Sequence, residues 1–354
     1  MAPQCVAGRV EARQGWARQA GWPRFRPGPL LSVRRITVTA MTTITDNDTP
    51  HARPLPVLDI AEANPYDTQF FSVTSILKAL SNSALEYWAI RQTAMEAIDK
   101  QSTWQAMLAD SGRAETIKWL CGARYRRPKL ELGADQLGTC VHKICETFAL
   151  TGERPDRGYC SDLVAAHAAP TVEIDSEVET VLLMLDQFSR WCEIFQPVYT
   201  AAEMAVYNER FGYAGSLDAI LTIGGTTLLT DYKTRREPLT AKGEAQMPYG
   251  ETALQLAAYR HCELAAVWRA RRVEKWKRRY YLLSDEERSL GEPMPQVDGA
   301  MCLIITPMSC VAYPMKTSQE IFDSFLYCFE AWRWNEEISK RVVGEALVPP
   351  ELIR

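Results

Sequence analysis

Hydrophobic and polar positions along this chain change their spacing several times, and each spacing predicts a different element. Apolar residues at helical spacing predict a helix around His142 that ends at Gly152: Val141, Ile144, Cys145 and Phe148. The later pattern predicts, in chain order, a helix over 176–195, three strands within about 199–233, a helix over 251–270, further strands within about 279–315 and a final helix over 317–340. This order predicts an α/β fold in which helices flank a central mixed sheet.

The region before this core is mostly helical in pattern. Within residues 66–130, apolar residues recur at helical intervals: Leu77, Leu80, Leu85, Trp88, Ile90, Met95 and Ile98. We therefore divide the chain into a tail (1–45), a mostly helical N-terminal extension (46–130), a core (131–345) and a C-terminal tail (346–354).

Two aspartates are expected to face each other across a hairpin. β-branched and apolar residues flank Gly224-Gly225, and a Gly-Gly pair takes the positive φ angles of a two-residue turn. Counting outward from this turn places Asp218 opposite Asp231, about 5 Å apart. Because side chains alternate between the faces of a strand, Lys233 joins Asp231 on the same side.

Opposed like charges destabilise a sheet unless another charge compensates them. A divalent metal such as Mg²⁺ would do so, since it takes oxygen ligands from one or two carboxylates, waters and substrate phosphates. An adjacent ammonium group could then orient an attacking water. The alternative is a solvated hairpin in which Lys233 is simply the ion-pair partner of the aspartates.

The ordered set of motifs resembles the PD-(D/E)XK nuclease superfamily, and within it the RecB-type branch of recombination and phage exonucleases. Besides the Asp/Asp/Lys hairpin, the segment 137–146 (LGTCVHKICE) resembles the G-x-x-V-H helix of that branch, and 254–259 (LQLAAY) resembles its Q-x-x-x-Y helix. The segments 71–77 with 87–89, and 301–334, resemble the beginning and end of phage and actinobacterial exonucleases of this type. The resemblance implies a restriction-endonuclease-like core and metal-dependent hydrolysis of DNA.

The resemblance also implies roles for individual residues. Asp218, Asp231 and His142 would hold one or two Mg²⁺ or Mn²⁺ ions, the backbone carbonyl of Tyr232 would complete the ligand shell, and Lys233 would position or activate water. Gln255 and Tyr259 are four residues apart, so they share one helix face beside the active site. Glu203 is a weaker metal-ligand candidate, with Glu209 as its nearby competitor.

We therefore expect a Mg²⁺-dependent deoxyribonuclease, an exonuclease that acts on single- or double-stranded ends of linear DNA. Recombination, repair or phage DNA metabolism is the expected context, in the cytoplasm of a bacterial or phage-infected cell, with a helicase or recombinase as partner. Two alternatives stay open: a non-catalytic subunit that binds DNA ends, and an endonuclease of the same fold.

The charge is distributed unevenly along the chain. The net charge is −4, but the first 45 residues carry seven arginines and one acidic residue, Glu11, which leaves about −10 on residues 46–354. We expect the Arg-rich tail to be disordered, and Met41 is a candidate for the true start. DNA must then meet local basic runs, for which the candidates are Arg124, Arg126, Arg127, Lys129 and the run 269–279 with Trp268 and Trp276.

Ten cysteines raise the question of a second metal centre. Some RecB-type nucleases hold an iron–sulfur cluster with one upstream and three closely spaced downstream cysteines. Here the downstream residues are Cys302, Cys310 and Cys328, and their wide spacing departs from the compact cluster pattern. We therefore expect no iron–sulfur cluster, and no segment with the about 20 apolar residues that span a membrane.

Overall fold

A mixed sheet organises the fold, and the strands of the described residues join into one ten-stranded sheet. The computed structural model describes residues 69–80, 83–122, 130–240, 243–265, 271–275, 278–282 and 284–344. These all lie within one compact unit, Ile44–Arg354.

The central path of the sheet runs β10-β9-β4-β3-β1-β7-β6, while β2 pairs with β3 and β5, and β5 pairs with β8. The strands are β1 (Gln69–Ser72), β2 (Val198–Asn208), β3 (Tyr213–Ile223), β4 (Thr226–Thr234), β5 (Leu264–Ala265), β6 (Arg271–Lys275), β7 (Arg278–Leu282), β8 (Glu292–Pro293), β9 (Gly299–Ile305) and β10 (Cys310–Met315). Parallel pairing of β4 with β9 and of β1 with β3 makes the sheet mixed.

Helices flank this sheet, as the sequence pattern predicted. They are α1 (Val73–Ile76), α2 (Ser83–Asp99), α3 (Gln101–Asp110), α4 (Gly112–Cys121), α5 (Ala134–Thr151), α6 (Arg157–His167), α7 (Ile174–Phe195), α8 (Glu251–Arg260), α9 (Asp285–Ser289) and α10 (Gln319–Arg333). Helix α5 ends at Gly152, whose φ of 71° fits the glycine stop expected there. The predicted α/β class is confirmed.

The hairpin between β3 and β4 forms in the predicted register. Gly224 and Gly225 have φ angles of 56° and 86°, and Ile223 pairs with Thr226. The ladder continues outward to the pair Ala219–Thr230 and ends there.

Asp218 and Asp231 would form the next pair, but the two strands separate at that point. The carboxylate of Asp218 instead accepts a hydrogen bond from the backbone N–H of Tyr232, with Oδ2 at 2.6 Å from the nitrogen. Repulsion between two directly opposed carboxylates favours this parting over continued pairing. Beyond it β4 continues along β9, and β1 pairs with β3 at Tyr213 and Ala214. The sheet therefore opens beside Asp218.

A large buried cluster holds the helices α8 and α10 against the sheet. It joins Leu217 and Leu229 of the hairpin to Leu256 of α8 and Phe325 of α10. Full burial of each such side chain contributes about 1.5–3 kcal/mol. Phe71 of β1 belongs to the same cluster and packs on Trp332, with ring centroids 4.7 Å apart.

Two sequence predictions differ from the structure. The helix predicted over 251–270 ends at Arg260, because Leu264 and Ala265 pair with β2 instead of continuing the helix. The described part of 66–130 is mostly helical, as predicted, but it also includes β1, which lies inside the sheet and not in an extension. The apolar stripe in that region is also not a core face, since Trp88, Ile90 and Ile98 are exposed.

The tails predicted at 1–45 and 346–354 lie outside the described residues. Within the part of the chain that the structure does describe, the longest helices are too polar or too short to cross a membrane.

Candidate metal and phosphate site

A cleft of about 870 Å³ lies where the sheet opens. Its walls come from α5, from the hairpin strands β3 and β4, from β2 and from α8, which contribute His142, Asp218, Asp231, Glu203 and Gln255 in turn. The structure therefore brings the sequence-predicted site residues to one place.

His142 reaches the cleft because α5 buries its neighbours. Val141, Ile144 and Cys145 lie in the core, whereas the His142 side chain keeps 26% of its surface exposed. Its Nδ1 lies 3.4 Å from Oδ1 of Asp218, and its ring meets the Tyr232 ring edge-on. Burial lowers the pKa of His142, but the Asp218 carboxylate outweighs this effect and raises the pKa to about 9.

Asp218 and Asp231 differ in their surroundings. Burial acts to raise the pKa of Asp218, but His142, Lys233 and the Tyr232 N–H outweigh it, so this pKa is lowered. For Asp231, burial together with the nearby Asp218 carboxylate raises the pKa, although Lys233 opposes them. The two carboxylates thus form an electrostatically strained pair in the protein alone, which is the situation that a bound cation would relieve.

Lys233 links Asp231 to helix α8. Its Nζ lies 2.7 and 2.8 Å from the two carboxylate oxygens of Asp231 and donates to Oε1 of Gln255 at 3.3 Å. Burial lowers the pKa of Lys233, but Asp231 and Asp218 outweigh it and raise this pKa. Lys233 is therefore held as an ammonium cation, on the same side of the strand as Asp231.

Gln255 and Tyr259 share one face of α8, as their spacing predicted. Nε2 of Gln255 donates to the Tyr259 hydroxyl at 3.3 Å, which extends the chain of contacts from Lys233. The Tyr259 ring lies directly on Gly215 of β3, where an added Cβ would come within 2.3 Å of the ring. Gly215 therefore positions Tyr259 at the cleft.

Glu203 takes part in the site through an unusual backbone. It has a φ of 49° inside strand β2, a left-handed conformation that non-glycine residues seldom adopt. Burial and the Asp218 carboxylate raise the pKa of Glu203, and the Ser216 hydroxyl donates to its Oε2 at 3.3 Å. Backbone strain of this kind persists only where the surrounding structure enforces it, and it is concentrated at functional sites.

Three groups on three different elements come close enough to share one ion. Single ligand atoms of His142, Glu203 and Asp218 all lie within 4.8 Å of one another. Among the described residues this is the one group of His, Cys, Asp and Glu side chains that meets so closely. Asp231 is not one of these three residues, but it lines the same cleft and contacts Lys233. Glu209 does not belong to the group either.

Tyr232 contributes its N–H group to Asp218 and its buried ring to the packing around His142. The role of its carbonyl as a metal ligand stays a prediction. Sequence reasoning gave no role to Glu146, which is almost fully buried at the cleft and pairs with Lys143. The signal was available, because Glu146 lies four residues after His142 and so shares its helix face.

The basic runs fall mainly outside the described residues. Arg124, Arg126, Arg127 and Lys129 all do, and so do Trp268, Arg269, Trp276 and Lys277. The rest of the second run, 271–275 and 278–279, lies in the paired strands β6 and β7. Of the cysteines considered for a cluster, Cys302 is buried in β9 with Sγ 3.9 Å from Oδ2 of Asp231, while Cys310 begins β10 and Cys328 lies in α10.

The sequence model of the PD-(D/E)XK nuclease superfamily matches residues 117–341. The chain belongs to the PD-(D/E)XK nuclease superfamily. The mixed sheet and its flanking helices are accordingly a restriction-endonuclease-like fold. Membership in this superfamily implies a phosphodiester-cleaving nuclease, and PD-(D/E)XK nucleases use divalent metals.

The superfamily match contains every residue of the candidate site but not the whole cleft. Ser72 and Thr74, which also line it, precede the matched range. No curated protein matches the chain. Among solved structures, the protein described as "Crystal structure of SSO0001" is similar at 15% identity over 56% of this chain and 75% of that chain, with a TM-score of 0.26.

Proposed function

We propose that this PD-(D/E)XK nuclease is a Mg²⁺- or Mn²⁺-dependent DNA exonuclease that removes nucleotides from the ends of linear DNA in recombination, repair or phage DNA metabolism. The observation that carries the proposal is the meeting of His142, Asp218, Asp231 and Lys233 in one cleft. The volume of this cleft, about 870 Å³, lies within the range of small-ligand sites.

The donor set suits a hard divalent cation. Asp218, Glu203 and Asp231 supply carboxylate oxygens, and His142 supplies a nitrogen, with the Tyr232 carbonyl as a further oxygen. A bound Mg²⁺ or Mn²⁺ supplies Lewis-acid polarisation of the scissile phosphate. The protein contributes the fixed placement of these groups on α5, β2, β3 and β4.

Lys233 acts on the attacking water and on the phosphate. Its Nζ contacts Asp231 and Gln255, which places it to position or activate the attacking water. Its ammonium group orients the water and stabilises the negative charge that develops on the phosphate oxygens. Gln255 holds Lys233 from the side of α8, and Tyr259 in turn holds Gln255.

The first test is cleavage of end-labelled linear single-stranded DNA, linear duplex and closed circles by residues 41–354, with Mg²⁺, Mn²⁺ or EDTA. Metal-dependent loss of the linear substrates alone supports the exonuclease. Nicked circles would show an endonuclease of the same fold. A folded protein that binds DNA ends and cleaves nothing would show a non-catalytic end-binding subunit.

The second test is Lys233→Ala, which we expect to lower kcat by about 10²–10³-fold because a charge-stabilising donor is lost. The variant should also melt earlier, since Asp231 is only 3% exposed and would lose its partner. Cleavage is therefore measured well below the melting temperature established by circular dichroism. Lys118→Ala is the matched control, because that side chain is 80% exposed on α4. Wild-type kcat in folded Lys233→Ala would refute the assignment.

A further inference from the structure

An exposed aromatic ring that the proposed chemistry does not use lies against an arginine of the cleft. Tyr249 lies just before α8 and is 56% exposed. The guanidinium of Arg235 lies over its ring, with Cζ 4.8 Å from the ring centroid. Arg235 itself lines the cleft and directly follows β4, two residues after Lys233. Tyr249 is therefore connected to the catalytic groups through one side chain.

Arg235 differs from the other cations of the cleft. Lys143 pairs with Glu146, and Lys233 pairs with Asp231. The next residue, Arg236, is bound through two hydrogen bonds to the buried carboxylate of Glu177. Arg235 forms no ion pair with a carboxylate of the described residues.

The hydrogen bonds of Arg235 leave its Nη2 group without a partner in the described part of the chain. Its Nη1 donates to the Thr234 carbonyl at 2.9 Å, and its Nε is buried without a hydrogen-bond partner in the described part of the chain. A guanidinium suits a phosphate group, because its planar fork matches the phosphate oxygens. The charge of Arg235 is thus available to an anionic ligand at the edge of the cleft.

The loop that carries Tyr249 is fixed by hydrogen bonds. Gln246 donates through its side chain to the carbonyls of Glu237 and Leu239, and its own carbonyl accepts from the Tyr313 hydroxyl of β10. The Tyr249 carbonyl accepts from the Thr252 N–H at the start of α8. A ring held in this way loses little conformational entropy when a ligand stacks on it.

We propose that Tyr249 and Arg235 form a nucleotide platform: an unpaired base beside the scissile phosphate stacks on the free face of Tyr249 while its phosphate meets the Arg235 guanidinium. Every nucleobase has a π-face, so such a contact is independent of sequence. A base inside a duplex has both faces covered by its neighbours, so the platform selects an unpaired nucleotide. This inference rests on the proposed function and specifies its substrate as a single-stranded DNA end.

The test measures binding separately from cleavage. In the Lys233→Ala background, an oligonucleotide with 2-aminopurine at its terminal positions is titrated, and both fluorescence quenching and anisotropy are recorded. Tyr249→Ala should weaken binding of the single strand about tenfold and remove most of the quenching, in line with the usual effect of losing one stacked base. Tyr249→Phe should restore both signals because it keeps the ring.

Two controls make the result specific. Tyr87→Ala removes another exposed tyrosine, 69% exposed on α2 away from the cleft lining, and should bind as the parent does. A covalently closed circular duplex offers neither an unpaired base nor the open face of a terminal base pair, so its affinity should be the same with and without Tyr249. Equal losses on both DNAs, or unchanged single-strand binding by Tyr249→Ala, would overturn the platform.

Failure of the platform and failure of the proposed function give different results. If wild-type protein cleaves linear DNA while Tyr249→Ala keeps full affinity and quenching, the platform is wrong and the nuclease stands. If wild-type protein cleaves no DNA with any metal, the proposed function is wrong whatever the Tyr249 variants bind.

Discussion

Glu203 shows how much a single residue of this site depends on its backbone. Among the described non-glycine residues, only Glu203 and Gln196 have a positive φ, and Gln196 merely ends helix α7. Glu203 lies in the middle of strand β2, where no turn requires this conformation. Its carboxylate is also largely buried next to that of Asp218, a costly placement unless a cation is shared between them.

The variant Glu203→Gln tests whether this carboxylate is a metal ligand. The amide keeps the shape of the side chain but removes the charge, so the metal concentration for half-maximal cleavage should rise at least about tenfold. Glu209→Gln, directly after the end of β2 and outside the close group of ligand atoms, is the matched control and should leave this concentration unchanged. Metal titrations of cleavage rate measure both. Identical curves for wild-type protein and Glu203→Gln would exclude Glu203 as a ligand.

Gly215 determines how closely helix α8 packs on strand β3. The Tyr259 ring of α8 lies so close to β3 that an alanine Cβ at position 215 would be 2.3 Å from the ring. The same ring supports Gln255, and Gln255 contacts Lys233. A displacement of α8 from the sheet would therefore also displace the partner of Lys233.

We expect Gly215→Ala to lower stability by about 1–3 kcal/mol through overpacking. Cleavage should fall by more than this loss explains, since misplacing a catalytic group by about 1 Å costs up to about 10²-fold. Gly138→Ala on α5 is the contrast: its added Cβ would lie at an ordinary 3.5 Å from Thr234 Oγ1, and alanine favours a helix interior. Thermal melts and kcat at a temperature where both variants are folded distinguish the two. Wild-type kcat in Gly215→Ala would contradict the positioning role.

Elements whose sequence signals are local could be predicted from the sequence alone. The turn at Gly224-Gly225 sets the register of its hairpin, and the spacing of apolar residues around His142 defines α5 up to Gly152. The prediction that Gln255 and Tyr259 share one helix face required only their spacing of four residues. The parting of β3 and β4 at Asp218 was not predictable from counting, because it depends on the Tyr232 N–H and on the path of β4 along β9.

Elements with long-range partners were missed for a related reason. β1 has only four residues and lies among helical patterns, and its partners are β3 and β7, more than 130 residues later. The apparent continuation of the Gln255 helix failed because Leu264 and Ala265 find their partners in β2. Apolar spacing shows that a segment has a face to bury, but not which distant segment covers it.

At the scale of the whole molecule, the nuclease sheet extends beyond the range that defines the superfamily. The superfamily match begins at residue 117, yet β1, at 69–72, lies between β3 and β7 in the sheet. Phe70 and Phe71 are both buried, in two different clusters, so β1 contributes to the packing on both sides of the sheet. Ser72 and Thr74 then bring the same segment to the cleft. The segment 69–76 is thus part of the nuclease fold and not an appendage.

Phe71→Ala in the full chain tests this conclusion. Loss of the ring, which packs on Trp332 and Phe329, should cost about 3–5 kcal/mol and lower the melting temperature by many degrees. Tyr87→Ala, at an exposed site of α2, should stay within about 0.5 kcal/mol of wild type. A chain of residues 117–354 should accordingly fail to fold cooperatively, whereas residues 41–354 keep β1 and should melt in one transition. Cooperative melting and metal-dependent cleavage by residues 117–354 would show that β1 is dispensable and that the superfamily range is sufficient for the fold.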